Sequence, residues 1–264
     1  MTRLFTRTIG EQGPRIAFCH GLFGQGRNWN QIAKGLADDF RVSLVDLPDH
    51  GKSPWSESFS YVGMADTLAA ELGELAPGEK WTLVGHSMGG KVAMLVALRH
   101  PDLLERLGVV DISPVSYGGL RAFGKYVMGM RSIDLESISS RSEAEASLQE
   151  RVPDATVRGF LLQNLRRDDG GFAWQMNLTL LGDSLSKLGD WPADAISTGT
   201  TYGGPVLWVA GAESAYVTTE YDDAMRRLFP RAQLITIKRA GHWVHSEQPE
   251  VFLAVLRRYL TADT

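Results

Sequence analysis

The chain has 264 residues, of which 44% are hydrophobic and 22% charged, and a formal net charge of −4. That length suffices for one sizeable core with an insertion, and the mild acidity gives no basic footprint for nucleic acid. No run approaches the roughly 18 consecutive apolar residues of a membrane span. Residues 1–7 carry no apolar leader core, and the single cysteine, Cys19, leaves no partner for an intramolecular disulfide. The expectation is a cytoplasmic protein with no integral membrane segment; its oligomeric state is not legible here.

Short apolar runs recur along the chain at residues 16–19, 42–45, 81–84, 107–110, 206–209 and 234–237. Their continuous apolar character predicts strands buried on both faces, as in a parallel sheet. Helical patterns at 64–75, 91–100 and 249–260 alternate with them, the last opening on Pro249. Such alternation predicts an α/β fold with a doubly wound, mostly parallel sheet. Residues 113–203 interrupt the rhythm with amphipathic helical patterns and no convincing buried strand. Ser142 and Glu145 read there as a capping box. Leu161, Leu162 and Leu165 form one stripe and Leu181, Leu185 and Leu188 another, with a turn at 168–171 between them. This interval reads as a helical cap inserted between two strands, so residues 1–112 and 204–264 form the core and 113–203 the cap.

The sequence Gly85-His86-Ser87-Met88-Gly89 follows the 81–84 strand and precedes a helix. A serine on a sharp strand-to-helix turn projects its hydroxyl above the sheet, and flanking side chains larger than glycine would collide across the turn. In a chain with 28 glycines the bare pattern arises readily by chance; its placement between strand and helix makes Ser87 the candidate nucleophile. A serine needs a base. Among six histidines, His242 follows the last strand and precedes the closing helix, on a loop above the same sheet edge, with His245 read as structural or as a second-choice base. The developing oxyanion needs backbone donors: Met88 supplies one, and the glycine-rich loop His20-Gly21-Leu22-Phe23-Gly24 supplies the other through Leu22, with Phe23 as the alternative.

These motifs resemble those of the α/β-hydrolases over essentially the full length. More narrowly, His20-Gly21-Leu22-Phe23-Gly24, Gly85–Lys91, Asp111-Ile112-Ser113-Pro114 and Gly241-His242-Trp243-Val244-His245 resemble a bacterial esterase/thioesterase subgroup. The resemblance implies hydrolysis of small-molecule esters or acyl thioesters without metal or cofactor. It also bears on the acid. In most α/β-hydrolases the acid follows the strand after the cap, where Ser214 stands here; the subgroup resembled places it one strand earlier, at Asp111. Asp111 is therefore expected to orient His242, with Ser214 in the same network and Glu213 as competitor. Phe23, Phe123, Tyr126, Trp174 and Trp243 are the expected substrate contacts, with Met130, Leu161 and Leu178 as further apolar candidates for an uncharged, medium-length acyl chain. The rival readings are a cofactor-free perhydrolase, a carbon–carbon bond hydrolase of the same fold, and a non-catalytic ligand receptor.

Overall fold

The computed structural model describes residues 3–118 and 121–262. Among the described residues nine strands form, in chain order: β1 (Thr6–Ile9), β2 (Arg15–Cys19), β3 (Arg41–Val45), β4 (Trp81–His86), β5 (Leu104–Val110), β6 (Leu165–Asp168), β7 (Gly171–Trp174), β8 (Val206–Gly211) and β9 (Ala232–Ile237). Seven of them make one sheet in the order β1-β3-β2-β4-β5-β8-β9. Every neighbouring pair is parallel except β1–β3. The helices are α1 (Asn30–Leu36), α2 (Tyr61–Leu75), α3 (Met88–Arg99), α4 (Arg121–Arg131), α5 (Arg141–Leu148), α6 (Ala155–Leu162), α7 (Leu178–Asp183), α8 (Leu185–Gly189), α9 (Asp222–Leu228), α10 (Val244–Glu247) and α11 (Pro249–Thr261).

The six apolar runs are all strands, and side chains alternate between two buried faces as the period of two demands. Ile16, Phe18, Val42, Leu44 and Val209 pack with Ala33 and Leu36 of α1 and with Phe252 and Leu256 of α11. Ala17, Cys19, Val45, Leu83 and Val109 pack on the other face with Leu68 of α2 and with Val92 and Leu95 of α3. The expectation of burial on both faces fails for β9. As an edge strand it leaves Leu234 45% and Ile235 40% exposed. Strand β1 was not anticipated, because the four residues Thr6-Arg7-Thr8-Ile9 are half-exposed and carry no apolar run.

Between β5 and β8 the chain forms α4–α8 and the antiparallel hairpin β6–β7. The hairpin corrects the all-helical reading. Asp169 (φ 34°) and Gly170 (φ 94°) make its two-residue turn, the left-handed Asp-Gly pairing that matches strand twist. Leu165 accordingly sits in β6, off the stripe of Leu161 and Leu162, and Ser184 divides Leu181 of α7 from Leu185 and Leu188 of α8. The helix cap also moves, and it is not a reciprocal capping box: the N-cap Ser140 Oγ accepts from the Glu143 N–H at 3.2 Å, while the Glu143 carboxylate takes the N–H of the preceding Ser139 at 2.8 Å. Ser142 lies inside α5.

Candidate active site

Ser87 sits between β4 and α3 with φ 53° and ψ −118°. A side chain rarely adopts that backbone, and such strain is held only where the surroundings dictate it. They do so here: the Ser87 N–H is tied to Val110 O at 3.0 Å, and the flanking glycines admit no substitute. A Cβ on Gly85 would lie 2.1 Å from Gly89 O, and one on Gly89 would lie 2.4 Å from His20 O. The turn thus presses against the end of β2, and the hydroxyl stands at the N-terminus of α3, where main-chain N–H groups have no intrahelical acceptor.

His242 lies on the loop between β9 and α10. Its Nε2 is 2.9 Å from Ser87 Oγ and its Nδ1 is 2.8 Å from Asp111 Oδ2. Asp111 follows β5, is fully buried and has φ 50°. Its Oδ1 accepts the Gly211 N–H at 2.9 Å, and Ser214 Oγ donates to Oδ2. The structure therefore brings Ser87, His242, Asp111 and Ser214 into one chain of hydrogen bonds. Glu213 lies on the surface, with its own N–H on Ala240 O at 2.9 Å.

Several residues that hold this arrangement carry no sequence signal of their own. His86 Nε2 donates to His242 O at 2.8 Å, and burial together with its histidine neighbours holds His86 well below the ordinary imidazole range. Glu247 accepts the N–H groups on both sides of His242, from Gly241 at 2.6 Å and from Trp243 at 3.1 Å. The Tyr216 ring packs 4.3 Å from that of His242. His245 stacks on Trp29 at 4.0 Å and is lowered by burial to about 3, a structural placement rather than that of a base.

The loop after β2 is braced from two sides. Phe23 has φ 61° and its N–H donates to His50 Nε2 at 3.2 Å, while His50 Nδ1–H donates to Pro48 O at 2.9 Å. That bond commits the Phe23 N–H, the alternative oxyanion donor, to His50. His20 bridges Gly21 O at 2.8 Å and the Leu47 N–H at 3.0 Å. Burial lowers His20 to about 4 and His50 to about 3, so both act as neutral braces. Asn164, fully buried after α6, donates to Phe23 O and accepts from Gln25 Nε2, each at 2.7 Å, tying the β5–β8 insertion to this loop.

Two pockets meet at Ser87. One runs past His20, Gly21, Phe160, His242 and Trp243. The other runs past Met88, Lys91, Ile112, Tyr117 and Leu188. Leu22 and Phe123 line both. Of the expected contacts, Phe123 and Trp243 reach the pockets and three do not. Phe23 is fully buried with its ring 6.1 Å from Phe123, Tyr126 backs Phe123 at 5.6 Å, and Trp174 is buried in β7 opposite Leu165. Met130, Leu161 and Leu178 pack the core. Sequence periodicity marks such residues as apolar, and core packing accounts for most apolar residues. Among the described residues no cluster of three His, Cys, Asp or Glu side chains is arranged to hold a metal ion, and no helix is long and apolar enough to cross a membrane.

The family model described as alpha/beta hydrolase fold matches residues 14–249. The mouse protein named sn-1-specific diacylglycerol lipase ABHD11 is 40% identical over 253 residues, spanning 94% of this chain and 81% of its own length. Esterase YbfF of Escherichia coli is 32% identical over 248 residues, covering 93% of this chain and 92% of its own. Among solved structures, one described as a marine microorganism esterase superposes with a TM-score of 0.93 at 33% identity, covering 98% of this chain and all of that one.

Proposed function

The chain belongs to the alpha/beta hydrolase fold family, and from that premise we propose that Ser87, His242 and Asp111 hydrolyse carboxylic esters or acyl thioesters by two-step acyl transfer. Relatives sharing the fold over nearly the whole chain are named esterases and a lipase, and the chain is a hydrolase of ester bonds. The observation that carries the assignment of roles is the pair of short contacts on one imidazole, 2.9 Å to Ser87 Oγ and 2.8 Å to Asp111 Oδ2.

In the first step Ser87 Oγ attacks the acyl carbonyl carbon while His242 Nε2 takes its proton. Asp111 holds Nδ1–H and stabilises the imidazolium. The carbonyl oxygen gains charge beside the N–H groups of Leu22 and Met88; Met88 opens α3, so its N–H has no intrahelical acceptor. The C–O or C–S bond then breaks and His242 returns the proton to the departing alcohol or thiol. In the second step His242 takes a proton from water, hydroxide adds to the acyl-enzyme, and the acid leaves as Ser87 recovers its proton. The leaving group belongs in the pocket flanked by His242 and Trp243, since the proton donor stands there. The acyl group belongs in the pocket beside Met88 and Ile112. Residues 113–203 act as the cap, closing the acyl pocket through Tyr117, Phe123 and Leu188. A cytoplasmic location is part of this reading, and the single buried thiol of Cys19 is compatible with it.

The test is fluorophosphonate labelling with Ser87→Ala as control, followed by a panel of esters, thioesters and lactones. Labelling of Ser87 with turnover of esters or thioesters is the expected result. A ligand bound without turnover supports the receptor reading, and turnover only with peroxide or only at a carbon–carbon bond supports the other rivals.

A further inference from the structure

Asp111 leans on a loop that has no ladder of its own. Residues 212–218, after β8, form neither helix nor strand. Ser214 and Tyr216 both lie there and both touch the triad, Ser214 Oγ by donating to Asp111 Oδ2 and Tyr216 by packing its ring against His242. The two residues are tied together, since the Tyr216 N–H donates to Ser214 Oγ at 3.2 Å. Whatever fixes the Tyr216 main chain therefore fixes the hydroxyl on the acid. Two side chains do so, both from the segment that leaves β5 through Asp111. Ser113 Oγ donates to Tyr216 O at 2.9 Å and the Tyr117 hydroxyl donates to it at 2.6 Å. The Tyr117 oxygen in turn accepts the Ser113 N–H at 2.7 Å. Burial raises the Tyr117 hydroxyl above the ordinary phenol range, so it keeps the proton it donates. The rest of Tyr117 is held as well. Its N–H donates to Gly189 O at 2.9 Å, and its ring meets those of Tyr216 at 5.1 Å and Tyr221 at 5.7 Å. A ring alone suffices to wall the acyl pocket, where Tyr117 stands; walling does not account for a hydroxyl bonded to the loop behind the acid.

We propose that Tyr117 is a positioning residue of the reaction: its hydroxyl, through the Tyr216 main chain, holds Ser214 on Asp111. This rests on Ser87, His242 and Asp111 as the triad. Asp111 Oδ2 receives both the Ser214 hydroxyl and His242 Nδ1–H. A displaced Ser214 leaves that oxygen with one partner fewer, and the carboxylate is freer to turn away from the imidazole. Asp111 Oδ1 keeps the Gly211 N–H and Ser113 keeps Tyr216 O, so losing the Tyr117 hydroxyl weakens the arrangement without dismantling it. The cost falls on proton transfer, which depends on the orientation of His242, and not on substrate binding.

The experiment measures kcat and KM for p-nitrophenyl butyrate in wild type, Y117F, S214A and the double variant. Y117F keeps the ring on the pocket wall and removes the hydroxyl. It is expected to lower kcat by about 3- to 10-fold, the worth of one hydrogen bond, with KM unchanged. Since Tyr117 acts through Ser214, S214A is expected to lower kcat at least as far, and the double variant to match S214A. Losses that multiply in the double variant overturn the proposal. So do a raised KM with kcat kept in Y117F, and a wild-type kcat in either single variant. If Y117F does not fold, S113A replaces it in the cycle, because Ser113 donates to the same carbonyl; losses that multiply with S214A overturn the relay, and losses that do not multiply support it. Turnover that survives Ser87→Ala is a different result and overturns the underlying reading of the site.

Discussion

Acid should unfold this protein in a window set by its buried neutral histidines. Burial holds His20 at about 4 and both His50 and His245 at about 3, against an ordinary value of 6.5. Below pH 6.5 the unfolded chain binds protons that the folded chain refuses, so stability falls with pH until the folded values are reached. At pH 5 each such histidine costs about 2 kcal/mol relative to pH 8, and the three together about 6 kcal/mol. That is comparable to the whole stability of a typical domain, about 5–15 kcal/mol. Ordinary carboxylates change little over this range, while His86 and Lys91, also held low by burial, add to the fall in the same direction. Urea denaturation at pH 8, 6.5 and 5 measures the effect, and His245→Gln assigns it. The His245 side chain packs on Trp29 and its Nδ1 has no hydrogen-bond partner among the described residues, so the variant should narrow the gap between pH 8 and pH 5 by about 2 kcal/mol. An unfolding free energy at pH 5 within about 1 kcal/mol of that at pH 8 would refute the reasoning.

Two further outcomes follow from the braces. Glu247→Ala frees both N–H groups beside His242 and should lower kcat by about 10- to 100-fold with little change in KM, because misplacing a base costs rate more than binding; partial rescue by Glu247→Gln, which keeps one acceptor, separates positioning from folding, and a wild-type kcat in the alanine variant contradicts it. Asn164→Leu leaves the buried Phe23 carbonyl and the Gln25 amide unpaired and should reduce unfolding free energy by about 2–4 kcal/mol, measured by chemical denaturation; an unchanged midpoint removes the proposed tie between insertion and oxyanion loop.

The elements that position the nucleophile were legible because their signals are local. A buried strand, two glycines that cannot carry a Cβ and a helix start mark Ser87 within ten residues. His242 was expected because it follows the last strand at the serine's sheet edge, and Asp111 because the motifs resemble a subgroup that places its acid after the strand before the cap. What escaped depends on adjacency made only by folding. Glu247 reaches back across α10, His86 supports a loop 156 residues away, and Lys91 looks like an ordinary helical lysine until its burial is seen. Strands β1 and β6 are short and half-exposed and offer no apolar run, and β7 offers only the three residues Phe172-Ala173-Trp174. Apolar spacing marked Trp174 as a pocket residue, yet spacing cannot distinguish a wall from a core.

The account stands most directly on Asp111 as the partner of His242. Pre-steady-state acylation of Ser87 by a p-nitrophenyl ester, compared among wild type, Asp111→Asn and Glu213→Gln, measures that partnership. The expected result is a loss of about 10³- to 10⁴-fold in Asp111→Asn, with Glu213→Gln acylating close to the wild-type rate, since its carboxylate faces solvent. A near-wild-type Asp111→Asn beside a collapsed Glu213→Gln contradicts the account.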